Sequence, residues 1–185
     1  MLLRHRPVKI ESCSRDTASE FDHVDRDAVA VLRWLVAHRI DFVLVGDVAR
    51  AIRREDTGGG PVAIVPAPYG RNLDRLAGAL NAADARVRLD RERNSLAELK
   101  MTAEKLVRPA RWSLRSGPYG IDVEGRPRGV PRYGELLYEA RRFQLSEDLT
   151  VEVASLADIE RYEHMRITGG PPEIRISRAA RVEHA

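Results

Sequence analysis

DFVLVGDVARAIRREDTGGGPVAIVP, residues 41–66, is the stretch whose reading decides the fold. Asp41-Phe42-Val43-Leu44-Val45 is short, continuously apolar and β-branched, which suits a strand covered on both faces better than a helix. Gly46 closes the run, and Val48 to Arg53 has room for about two turns of helix at 3.6 residues per turn. Gly58-Gly59-Gly60 breaks the chain, and Val62-Ala63-Ile64-Val65 makes a second short buried strand, closed by Pro66. Pro61 lacks a backbone donor, which confines it to a strand start or an edge.

Outward from this stretch the pattern stays mixed. Upstream, Ala28, Val31, Leu32, Leu35 and Val36 fall at i, i+3, i+4, i+7 and i+8 of a helix that begins at Asp25. Asp25 or Asp27 suits its positive end, and Arg39 its negative end. Residues 1–24 carry neither period and read as a flexible extension. Downstream, residues 66–70 form a turn. Arg71 to Leu80 is then a helix with Asn72 as its cap and Leu73, Leu76, Ala77 and Leu80 facing inward. Ala85 to Leu89 reads as a short strand. In the highly charged run from Arg91 to Leu106, Ser95 opens a capping box, and Leu96, Leu99, Ala103 and Leu106 make an amphipathic helix, either a lid over the active-site side of the sheet or a solvated helix.

Arg111–Arg115 and Gly120–Glu124 are strands joined by the breaker-rich Ser116-Gly117-Pro118-Tyr119. A helix over Pro131–Arg141 and a strand over Leu149–Val153 follow. A capping box at Ser155 then opens a helix through Ile159, Tyr162 and Met165. Gly169-Gly170-Pro171-Pro172 ends it, and residues 174–185 are a terminal helix or tail. The sum is an α/β (α+β) domain over residues 25–173, with a mixed twisted sheet of about four to six strands flanked by helices.

The bulk numbers bound the function classes. A chain of 185 residues with 43% hydrophobic content can bury one core. No run of about 18 apolar residues exists, so no membrane partner is expected. No secretory signal is visible, and the single cysteine, Cys13, fits a reducing cytoplasm. Net charge is +3, and nearly every base is arginine; the only lysines are Lys9, Lys100 and Lys105. Arginine suits phosphate contacts, but basic blocks are absent, and GC-rich coding gives the same composition.

The order of elements, together with Gly46-Asp47 at the end of the first strand, resembles the core of the nucleotidyltransferase superfamily, in particular its small bacterial minimal and toxin-type members. In that family a strand ends in G-G or G-S, a helix follows, and the next strand carries D-x-D. The stretch RNLDRLAGALNAADARVR, residues 71–88, is similar to the family at this position. Leu114, Ser116, Gly117, Gly120 and Asp122 approximate its L-x-T-x-x-G-x-x-D pattern. Ala154-Ser155-Leu156 matches its v-A-S-L-x-D-L, with Arg166 after Met165 where a lysine is usual. The resemblance implies a nucleotidyltransferase-like sheet, NTP as substrate and, in an active member, Mg²⁺ held by three carboxylates.

The D-x-D positions here are Pro61 and Ala63. Aspartates at i and i+2 of a strand share a face and reach one metal cluster. Proline and alanine supply no ligand, and nucleotidyl transfer depends on the ion to neutralise developing charge. Asp122 carries over as the third carboxylate, or else is a polar residue alternating on a half-exposed strand. Gly46-Asp47 stands between a strand and a helix start, where exposed amides suit an anion. Asp47 is either the N-cap of that helix or, with Asp122, a relocated metal ligand. Arg53 and Arg54, before the glycine run, are candidate phosphate contacts or part of a solvated loop.

No Lys-Ser/Thr pair follows the glycines, the five histidines are scattered, and no nucleophile motif occurs. The expectation is therefore a nucleotidyltransferase-fold protein, catalytically impaired and retained to bind nucleotide, RNA or protein. Two alternatives stand beside it: an active Mg²⁺-dependent enzyme, and a toxin–antitoxin-type regulatory partner.

Overall fold

The computed structural model describes residues 21, 23–53, 59–88, 96–97, 100–125 and 129–168. Helix α1 (Arg26–Ala37) starts at Asp25, whose side chain accepts the Asp27 N–H at 3.1 Å. Its apolar stripe buries Ala28, Val31, Leu32 and Leu35. Arg39 then takes a left-handed φ of +55°. Its N–H reaches the Val36 carbonyl (2.9 Å), and Ile40 N–H reaches that of Leu35 (3.1 Å). This is a Schellman reversal with arginine in the position glycine favours. Arg39 therefore turns the chain rather than only complementing the helix dipole.

Strand β1 (Phe42–Val45) runs straight from that turn into helix α2 (Gly46–Ile52). Strand β2 (Val62–Pro66) begins just after Pro61, as a residue without an N–H requires. Helix α3 (Gly70–Ala82) leads to β3 (Arg86–Arg88), β4 (Leu96–Ala97) and the single-turn helix α4 (Ala103–Leu106). The hairpin β5 (Arg111–Ser116) and β6 (Tyr119–Glu124) follows, then α5 (Tyr133–Glu139), β7 (Arg141–Ser146), β8 (Leu149–Val153) and α6 (Leu156–Thr168).

All of the strands join one mixed sheet in the order β4-β3-β5-β6-β2-β1-β8-β7. The pairs β1/β8 and β2/β6 are parallel and the other ladders antiparallel. The architecture is the α/β (α+β) class. Strands β1 and β2 are buried throughout and form its spine. The core also takes in Val24, with Phe21 edge-on to Phe143 at 6.5 Å, so packing starts inside the segment read as an extension.

Several local expectations are corrected. Among the described residues the sheet has eight strands, with edges added on both sides. Strand β7 was hidden because Arg141, Arg142 and Gln144 face solvent, and the helix before it ends at Glu139. The helix expected up to Leu106 is replaced by β4, which completes the ladder on β3, and by one turn capped by Thr102. That turn packs on α3, and Trp112 Nε1 donates to its Lys105 carbonyl (3.1 Å). Trp112 alternates with Asp122's neighbours onto the other face of the sheet, so α4 is no lid over Asp122.

Asn72 does not cap α3; it lies inside the first turn, 1% exposed. Its Oδ1 accepts Asp41 N–H (2.8 Å), and its Nδ2 donates to the carbonyls of Asp41 (2.9 Å) and Ala67 (3.0 Å). It thereby ties the start of β1 to the end of β2. The expected C-terminal helix, Arg54 and Gly58 lie outside the described residues. Among the described residues no helix is long and apolar enough to cross a membrane.

Candidate functional site

The adjacent strands β6, β2 and β1 bring Gly46, Ala63 and Asp122 to one patch. Val45 pairs with Ala63, and Ala63 pairs with Asp122, so these side chains share a face. Gly46 has φ +74°, and a Cβ there would lie 3.0 Å from the Ala63 Cβ. The turn from β1 into α2 thus closes directly onto Ala63, and only glycine fits it. Pro61 sits similarly against Gly120, where an added Cβ would fall 3.2 Å from its own. Hydrocarbon, bedded against glycine, fills both D-x-D positions.

Asp47 is not the N-cap of α2. Val45 holds that position without a side-chain bond, and Asp47 stands in the first turn, where its charge complements the helix dipole. Its carboxylate lies beside Gly60, Oδ2 being 3.9 Å from a Cβ built there. Arg53 ends α2 and faces the sheet. Its guanidinium donates to the Val153 carbonyl (3.2 Å) and lies 5.6 Å from the centroid of the Phe143 ring. That cation is engaged by β7 and β8. Arg166 approaches Glu163 at 3.9 Å, and Glu163 also binds Arg50 of α2 at 2.5 Å.

Asp122 is buried rather than half-exposed, at 7%. Two residues on, Glu124 points to the same face at 6% exposure. Arg111 serves both acids: Nε donates to Glu124 Oε1 at 2.6 Å, a terminal nitrogen reaches the same oxygen, and Nε lies 3.9 Å from Asp122 Oδ2. Burial pushes the Glu124 carboxyl up from its ordinary value, and the Arg111 charge pulls the other way. Tyr162 on α6 packs near Glu124 and donates to the Pro131 carbonyl (2.7 Å); burial raises its phenol.

Glu124 and Arg111 were missed from sequence, yet the signal was present. Asp122-Val123-Glu124 is an i, i+2 acid pair on an expected strand. Counting back from the Ser116–Tyr119 turn places Arg111 opposite Glu124.

This donor set does not fit Mg²⁺. Mg²⁺ keeps several waters in its octahedron and is held through one or two well-placed carboxylates beside substrate phosphates. Here two of the three expected positions are proline and alanine, and the third acid has a guanidinium beside it. Among the described residues no three His, Cys, Asp or Glu side chains converge on a common point. Among the described residues Asp47 and Asp122 gain no third ligand for a relocated centre. The sequence matches no family model and no curated protein.

Proposed function

We propose that this chain is a nucleotidyltransferase-fold protein that has given up metal-dependent transfer and acts by binding, in a reducing cytoplasm. Its ligand at the glycine turn is a nucleotide, or the same surface is used by an RNA or protein partner. The observation that carries the reading is the ladder Val45–Ala63–Asp122 with Gly46 bedded on Ala63. It reproduces the relation between glycine turn, second strand and third acid that the resemblance implies, without two of the three acids. Arg111 adds support, since its charge meets Asp122 from inside the protein.

Calorimetric titration with each NTP, in Mg²⁺ and again in EDTA, tests the proposal. The expected result is an affinity that EDTA leaves unchanged within about twofold. An affinity that rises about tenfold or more with Mg²⁺, and loses that rise in Asp122→Asn, overturns it and favours the active enzyme. Absence of nucleotide heat under both conditions removes the nucleotide and leaves the RNA or protein partner, to be sought by co-purification.

A further inference from the structure

At the other end of β2 and β6 from Gly46, a cavity of about 440 Å³ opens at the edge of the sheet among residues of α3, α4, α5 and α6. Val65, Leu73 and Leu106 give it apolar walls, and Tyr133 and Tyr162 add two aromatic rings. Tyr69 supports the ring of Tyr133 from outside, edge-on at 6.3 Å. The volume falls within the range of about 300–1,000 Å³ typical of small-molecule sites.

The polar group in this apolar setting is Glu124, which lines the cavity while its side chain is 7% exposed. Both Arg111 bonds fall on Oε1, and Oε2 takes none among the described residues. Among the described residues Asp122 and Glu124 share the guanidinium of Arg111, and the Arg166 charge acts on Glu124 more weakly. At the rim stand Arg132 and Glu135, and the Glu135 carboxylate accepts the Arg132 backbone N–H at 2.9 Å. An anion would have to be desolvated against Glu124. A cation finds a carboxylate oxygen and two aromatic rings, the combination that recognises organic ammonium and guanidinium groups.

We propose that this cavity binds a small organic cation, an amidinium, guanidinium or primary ammonium on an apolar body. The charge sits at Glu124 Oε2 and the body against Tyr133 and Tyr162. The site uses neither the glycine turn nor a metal, so it stands or falls independently of the nucleotide-binding reading.

Benzamidine and its neutral counterpart benzamide are the probes, titrated into the full chain by calorimetry. Benzamidine binds, and benzamide binds about tenfold more weakly or not at all. Glu124→Gln lowers benzamidine affinity about tenfold, with circular dichroism and the urea midpoint reporting whether it folds. If that variant does not fold, Tyr133→Leu carries the test, with an expected loss of about fivefold. Equal affinity for the two probes overturns the proposal, as does no benzamidine binding up to about 10 mM. So does benzamidine affinity unchanged in folded Glu124→Gln or in Tyr133→Leu.

Discussion

Replacing Arg111 by methionine removes the cation between two acids whose side chains are 9% (Asp122) and 7% (Glu124) exposed. Breaking a buried pair from the cationic side leaves the carboxylates uncompensated, a loss of about 3–5 kcal/mol. Glu124→Gln forfeits the charge-assisted bonds on Oε1 but leaves Arg111 beside Asp122, so its loss is smaller, about 1.5–3 kcal/mol. In the double variant the orphaned Glu124 charge is absent, and the two effects fall short of additivity by about 1.5–3 kcal/mol. Urea unfolding of the four proteins measures this, with constant slopes confirming one transition.

The pH dependence fixes the mechanism further. Burial already holds folded Glu124 above its ordinary 4.5, and loss of Arg111 raises it again. An acid with a raised folded pKa contributes full stability below its unfolded value and loses it as pH climbs through the folded one. The Arg111→Met deficit therefore widens upward from pH 4.5 and shrinks in acid, and Glu124→Gln in the same background flattens that slope. An Arg111→Met protein within about 1 kcal/mol of the parent, with a deficit independent of pH, would refute the reasoning.

Gly46→Ala forces a side chain into φ +74° and sets its Cβ 3.0 Å from that of Ala63. The backbone strain alone is about 1–2 kcal/mol, and thermal unfolding should show at least that loss, whereas Gly78→Ala, with open space around it, should gain about 1 kcal/mol as a helix-interior glycine. Asn72→Ala removes the ties among Asp41, Ala67 and α3 and should destabilise by about 2–3 kcal/mol in urea, because buried backbone groups lose their partner. Arg39→Gly relieves a left-handed φ of +55° at the α1 reversal and should add about 0.5–1 kcal/mol of stability, read as a higher urea midpoint at unchanged slope.

The spine of the fold was legible in residues 41–66, because fully buried strands are continuous apolar runs and the left-handed turn at Gly46 favours glycine. Asp25, the α1 stripe and the Ser155–Asp158 box were legible for the same local reason: capping and periodicity act within one turn. Asn72 and Asp47 were misread because a polar residue near a helix start has the same local signature whether it caps the helix or not. The decision for Asn72 is made by Asp41, 31 residues away. The edge strands escaped because a charged edge has little apolar alternation, and β4 exists only through its ladder with β3. At the candidate site, the missing D-x-D acids were visible in Pro61 and Ala63. The pairing of Arg111 with Glu124 could be counted from the Ser116–Tyr119 turn, but the burial of both side chains depends on elements far along the chain.

The most direct measurement is incubation of the purified chain with labelled ATP, GTP, CTP and UTP in Mg²⁺ or Mn²⁺, with self, RNA and protein acceptors. A chain whose second strand offers Pro61 and Ala63, and whose Asp122 faces Arg111, should transfer no label to any of them. Transfer that depends on the metal and disappears in Asp122→Ala would contradict the account.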